Sequence, residues 1–430
     1  MANPPHRQGG RDSYSGLLER PGARSSYARQ RRRRRRTVLV GLTVVAAVVA
    51  VIGVAATLYG RSDVGATRGR RSATEPAATG TSAAASSTAA PPTALASASK
   101  PGTATAVAPA ASEIEIGWIG DTTPGSKYGS PPNAGRALFA YTRKPLTAPD
   151  IMVANLEGTF GNGGPSKCDG RDSSACFAFQ APPANAASLA WAGIDVVNLA
   201  NNHSNDYFTA GLQATRSALT RNGIAYTGLK GAIPVKEVGG VKVAFLGFSP
   251  YSWSPSIADL ANARALVREA GTVADVVVVL MHAGAEGADK THTPMGAETA
   301  YGEFRGNPRA FSHAVIDAGA DIVLGSGPHV VRGMEQYRGR LIAYSLGNFA
   351  GWKNFGRSGN LGLSGLLTVK VAADGRVLGG KWTSLRITDP GVPKVDSSRT
   401  SLALVRRLSG EDFATPVELN ADGTFAIRAQ

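Results

Sequence analysis

The sequence predicts a folded domain of the α/β or α+β class behind a long non-globular N-terminal region. Three observations lead there. Short apolar, β-branched runs recur, each closing in polar or glycine-rich residues, as buried strands do. Segments with helical spacing lie between several of these runs. From Leu363 the pattern changes to paired strand-like stretches around a turn signal. Such alternation argues against an all-β domain.

The chain has 430 residues and a formal net charge of +15, unevenly placed. Residues 1–36 hold 11 arginines against two acidic residues, and residues 112–430 are nearly balanced. The high pI therefore describes the tail rather than the domain. An arginine tract can bind nucleic acid through phosphates, but the next segment gives a simpler cause. Thr37 to Tyr59 is an uncharged apolar run of 23 residues directly after Arg31 to Arg36. That length suits a transmembrane helix. Its basic flank predicts a cytoplasmic N-terminus and an extracellular remainder, in a single-pass cell-membrane protein. A cleaved signal peptide is the rival reading. Residues 60–111 are Ala, Ser, Thr, Pro and Gly with few large apolar side chains, a composition that predicts a disordered spacer.

The folded part is expected over 112–430. Strand-like runs are Glu113–Ile119, Ile151–Ala154, Val196–Ala200, Val241–Phe248, Val276–Met281, Ile322–Leu324 and Leu341–Ala343. Helical patterns cover Ala184–Trp191, Tyr207–Asn222, Ile257–Glu269 and Ala310–Ala318, with Gly193, Gly223, Gly271 and Gly319 as stop signals. Phe208, Leu212 and Leu219 form the expected buried stripe of the second helix, with Thr215 on the same face. The tail over 361–430 is expected to add antiparallel edge strands, turning at Asp374-Gly375. Trp118 and Trp191 read as core aromatics, and His313, on a helical pattern, as structural. Cys168 and Cys176, eight apart in a polar stretch, predict a local disulfide in an oxidising compartment.

The polar ends of the strands hold the chemistry. They supply Asp121, Glu157, Asn202, His203, His282 and His329. Loops beyond the carboxyl ends of strands converge on one crevice in α/β folds. Oxygen and imidazole donors without thiolate suit Mn, Fe, Zn or Mg. Turn-forming loops are the alternative for each residue alone, since Asp, Asn and His favour turns.

Several motifs in order make the chain resemble a known family. They are IGDTTPG from Ile119, ANLEG from Ala154, NLANNHSND from Asn198, HAGAE from His282, GSGPHV from Gly325 and YSLGNF from Tyr344. The stretch Ile114–Phe349 resembles the CapA family of poly-gamma-glutamate capsule biosynthesis proteins, within the calcineurin-like metallophosphoesterase superfamily. The resemblance implies a two-sheet β-sandwich flanked by helices, with one or two divalent metal ions at the sheet edge. It implies Asp121, Glu157, Asn202, His282 and His329 as ligands, and His203, beside Asn202, as acid or electrostatic stabiliser. Ser345, Gly347 and Asn348 would shape the neighbouring loop. The family commonly has His-Pro-His where this chain has Gly327-Pro328-His329, and Thr123 stands in the first loop where an Asp-X-His would place an imidazole. Both departures put full metal loading in question, and Glu286 or His292 could fill a gap. Lys127, Arg305 and Arg332 are candidate anion contacts.

The implied role is capsule or envelope-polymer biosynthesis or export, with poly-gamma-glutamate the candidate polymer, and with a phosphoester hydrolase-like site. Implied partners are the membrane, an anionic envelope polymer or phosphate ester, and other membrane proteins of a polymer synthesis complex. A non-catalytic envelope scaffold or polymer-binding module that keeps the fold is the alternative, favoured by the glycine at 327.

Overall fold

The computed structural model describes residues 113–172 and 176–428. The arginine tract, the apolar segment 37–59 and the spacer 60–111 lie outside the described residues. Among the described residues no helix is long and apolar enough to cross a membrane.

Two sheets face each other. The first runs in the order Val392–Val395, Val377–Thr388, Leu363–Ala372, Glu113–Thr123, Ile151–Leu156, Val196–Asn198, Ala225–Thr227. Its half from Glu113–Thr123 to Ala225–Thr227 is parallel, and the C-terminal half antiparallel. The second runs Met334–Tyr337, Arg340–Ala343, Ile322–Ser326, Val276–His282, Val241–Phe248, Val235–Val238. Its four inner strands are parallel, and an antiparallel strand closes each edge.

Alternation along the strands builds three apolar layers. Ile151 and Val153 face the space between the sheets with Val276, Val278, Leu280, Ile322 and Leu324. Met152 and Ala154 face outward, under the helices Ala186–Trp191 and Phe208–Arg221. Val277, Val279 and Val323 face outward on the other sheet, under Leu260–Ala270 and Pro308–Ile316. Parallel strands covered on both faces read as nearly continuous apolar runs, the pattern the sequence shows. Asp259 and Asn307 begin Leu260–Ala270 and Pro308–Ile316 by accepting from Asn262 N and Ala310 N.

Three expectations need correction. Phe208 is exposed, at the start of its helix with φ 51°. The buried face is instead Gly211, Thr215, Ala218 and Leu219. Thr215 belongs there because its hydroxyl donates to Gly211 O (2.7 Å) and accepts from Phe160 N (2.8 Å). Leu363–Ala372 is an interior strand rather than an edge, pairing on both sides. The tail also contains a helix, Thr400–Asp412, whose Leu402, Val405 and Leu408 join the inter-sheet core. Trp118 is a core residue, whereas Trp191 is partly buried under the Arg136 and Arg143 guanidiniums.

Candidate metal centre

The parallel strands of both sheets end on the same side, and their termini form the site. Asp121 sits where the first strand changes partner. Its register shifts beside Asp121 against both neighbours, and Asn348–Gly351 takes over as a parallel partner. Such irregularities re-aim a side chain. Gly120 permits this, because a Cβ there would lie 2.0 Å from Gly347 O.

Asp121, Glu157 and His329 each bring a ligand atom within 4.8 Å of the others. His329 Nδ1 is 3.0 Å from Asp121 Oδ2 and 2.8 Å from Asn348 Oδ1. Two acceptors place the proton on Nδ1 and leave Nε2 facing Glu157 Oε1 at 3.6 Å. His282 Nδ1 has Asn155 Nδ2 and Ser326 Oγ each at 3.2 Å, so its Nε2 faces Glu157 Oε1 at 3.9 Å. His203 Nε2 approaches the same oxygen at 4.0 Å, while its Nδ1 meets Asp206 Oδ2 at 2.8 Å. Asn202, on the same loop, has a buried side-chain oxygen.

Charge in this pocket follows from burial and close carboxylates. Burial pushes Glu157 well above the usual carboxylate range, and the charges of Asp121 and Glu286 add to this while His329 opposes it. Burial would raise Asp121 too, but the hydrogen bond and charge of His329, with His282 and Asn155, hold it below its ordinary value. Burial lowers His282 well below 6.5, and lowers His203 against the pull of Asp206. For His329, burial is outweighed by Glu157, Asp121 and Glu286, which push it up to about 10.

The donors fit a cation. Both Glu157 oxygens, Asn202 Oδ1 and His282 Nε2 are buried without a hydrogen-bond partner. Buried polar atoms are normally paired, and an orphan carboxylate is among the costliest exceptions. Oxygen and imidazole donors of this kind suit a hard or borderline divalent metal.

The expected gap-fillers separate. Glu286 is at the site, 3.9 Å from His329 Nε2, but its other oxygen pairs with Arg305 at 2.7 Å. His292 stands away, exposed and paired with Asp412 Oδ1 at 2.7 Å. Thr123 spends its hydroxyl on Glu157 O at 3.0 Å. Gly327 has φ 112°, and a Cβ there would lie 2.8 Å from Ala283 N. Its backbone serves instead: N–H donates to Asp121 Oδ2, and its carbonyl accepts from Arg305 Nη2. Arg332 is buried and bound to both Glu298 oxygens at 2.8 Å, so it is no anion contact. His313 pairs with Glu335 and stacks on Tyr337.

Sequence reasoning passed over Asn155, Asn198, Asn201 and Asp206. Asn155 donates to Asp121 Oδ1 (2.8 Å) and accepts from Asn198 and Asn201 (3.1 and 3.3 Å). The signal was present as asparagines ending two adjacent parallel strands, Asn155 opposite Asn198. The Cys168–Cys176 disulfide forms, with Cα atoms 5.5 Å apart.

Sheet termini from two facing sheets, meeting in a buried oxygen and nitrogen cluster, define a mixed α/β domain with a candidate metal centre. The chain belongs to the bacterial capsule synthesis protein family PGA_cap, which matches residues 115–351. It is 33% identical over 177 residues to the PGA biosynthesis protein CapA of Bacillus subtilis (strain 168), covering 36% of this chain and 43% of that one. It is 34% identical over 187 residues to the capsule biosynthesis protein CapA of Bacillus anthracis, covering 37% and 42%. The matches thus span less than half of either relative. A solved structure, the 5'-nucleotidase precursor from Thermus thermophilus, aligns over 69% of this chain and 58% of its own, at 15% identity and TM-score 0.37. A likeness that low leaves the chemistry to the residues.

Proposed function

We propose that this chain is a membrane-anchored, extracellular accessory protein of capsule or envelope-polymer synthesis, and that its domain hydrolyses a phosphoester with a divalent metal. The observation that carries the hydrolase reading is the set of buried, unpartnered donor atoms on Glu157 and His282 beside Asp121 and His329, with the unpartnered oxygen of Asn202 on the loop of His203. The polymer role rests on family membership and on the CapA relatives, and an anionic polymer such as poly-gamma-glutamate is the class of partner. The apolar run 37–59 would be the anchor, 60–111 the spacer and 112–430 the external domain, with other membrane proteins as partners.

Asp121, Glu157 and His329 would hold one ion, with Asn202 and His282 offering Glu157 a second position. Mn, Fe, Zn and Mg all suit such donors. The bound ion supplies an activated water and a clamp on phosphoryl oxygens. This chain's part is to orient and move protons. Asn155 and Gly327 N–H fix Asp121, and Asn348 fixes His329. His203, held through Nδ1 by Asp206, presents Nε2 toward the cluster, where its imidazolium form would protonate the leaving oxygen or steady phosphoryl charge.

Metal analysis and phosphodiester hydrolysis of the purified full-length chain test this reading. Asp121→Ala and His329→Ala are expected to lose the ion and the activity together. His203→Ala is expected to keep the ion and lose turnover by about 10²–10⁴. Full turnover in His203→Ala, or a wild-type chain that binds no metal, sinks the hydrolase reading. A scaffold reading is favoured by one observation, the side-chain-free position at Gly327, and predicts polymer binding that survives metal removal.

A further inference from the structure

The residues on either side of the disulfide-closed segment touch the loop of His203. At its start, Lys167 N donates to Asp206 O at 2.8 Å. Lys167 Nζ lies 2.6 Å from Asp206 Oδ1 and donates to Asn202 O at 3.1 Å. Past Cys176, Phe179 N donates to Asp206 Oδ2 at 2.6 Å, and the Phe179 ring packs on the His203 imidazole with centroids 4.2 Å apart. Asp206 Oδ2 in turn accepts from His203 Nδ1 at 2.8 Å. One buried carboxylate therefore gathers His203, Lys167 and Phe179.

The segment has its own framework. Ser166 N and Oγ donate to Asp169, at 3.0 and 2.8 Å, and Cys168 N donates to Ser166 Oγ at 3.3 Å. Arg171 N bonds Cys168 O, and Cys176 N bonds Asp172 O. The sequence of the stretch they span, Lys167 to Cys176, holds few apolar side chains. A cross-link that closes a polar loop limits the conformations its ends can visit.

We infer that the Cys168–Cys176 segment is a staple that sets the imidazole of His203, with Lys167 as the positioning residue acting through Asp206. Lys167 pairs with the second oxygen of Asp206 while Phe179 N donates to the first, which holds the carboxylate against His203. Phe179 packs on one face of the ring. Catalytic geometry needs such support, because a small displacement of a proton donor lowers turnover steeply. The inference rests on His203 being the proton donor only for its consequence on turnover. The placement of the ring can be read without activity.

The test uses full-length chain with ¹⁵N-histidine, compared across wild type, Lys167→Met, Lys167→Arg and the double variant Cys168→Ser/Cys176→Ser. Circular dichroism and metal content verify that each variant is folded and loaded alike. The Nδ1–H signal of His203, assigned by its loss in His203→Ala, is expected to be protected in wild type and Lys167→Arg. In Lys167→Met and the disulfide-free variant its exchange should be about tenfold faster. Where wild type turns over a phosphodiester, kcat in the same two variants should fall about tenfold at unchanged KM and metal content. Unchanged exchange in both variants overturns the staple, whatever the turnover. A wild type without turnover but with the expected exchange pattern leaves the staple standing and removes the hydrolase reading.

Discussion

Gly327 shows how a single residue limits a site. With φ 112° and Ala283 N 2.8 Å from where a Cβ would stand, the position excludes an imidazole as well as lacking one. Gly327→His is expected to lower stability by about 1–3 kcal/mol in urea unfolding and to add no metal equivalent. A second equivalent at unchanged stability would contradict the strain argument. Asp321 gives a pH test away from the donors. Burial lifts its carboxyl to about 6 from 3.8, against the Val277 N–H and the Arg340 charge. The folded chain then holds a proton that the unfolded chain has released, so this group's stability contribution is complete below about pH 4 and is lost as pH rises through about 6. The urea midpoint of Asp321→Asn, relative to wild type, should accordingly improve across that window. The donor residues themselves were legible in the sequence because each follows an apolar run. Asp206 was not, since its partners Lys167 and Phe179 lie far from it along the chain.

At the scale of elements, strand cores were easier to read than their ends. Val276–Met281 and Ile322–Leu324 were recognisable from continuous β-branched runs, and the structure extends both by a residue or two into the site. Those extra residues are polar or glycine, so periodicity stops marking them just where function begins. The helix Phe208–Arg221 departs from its apolar pattern for a similar reason. Phe208 leaves the buried face, and Thr215 stays on it because its hydroxyl satisfies Phe160 N there. Thr215→Val keeps the shape and removes that acceptor. Its expected cost is about 1–3 kcal/mol, measured by thermal and urea unfolding. No loss would mean that Phe160 N finds another acceptor. The helix Thr400–Asp412 was missed because its sequence mixes serine and arginine with leucine. Only the gap between two sheets gives Leu402, Val405 and Leu408 a common place to go.

For the whole molecule, the site exists because two sheets bring strand ends into register. Trp118 of one sheet donates its indole N–H to Gly325 O of the other at 3.2 Å, one residue before Ser326 in the strand leading to His329. The proposed anchor belongs to this scale too. Deleting residues 37–59 should move the protein from the membrane fraction to the soluble one while its metal content stays the same. A deletion form that remains in membranes at high salt would place the attachment elsewhere.

The amino-acid order alone determined the family resemblance, the mixed α/β class, the disulfide and the set of polar strand ends. Each is local, written as a run, a spacing or a motif, and needs no knowledge of distant neighbours. Only the tertiary structure decided that Asp121, Glu157 and His329 share one cluster and that Asn155 ties Asp121 to it. It also paired Glu286 with Arg305 beside that cluster, and drew His292 away to Asp412. Those outcomes depend on which sheet faces which and on what burial leaves unpaired, and sequence spacing carries neither.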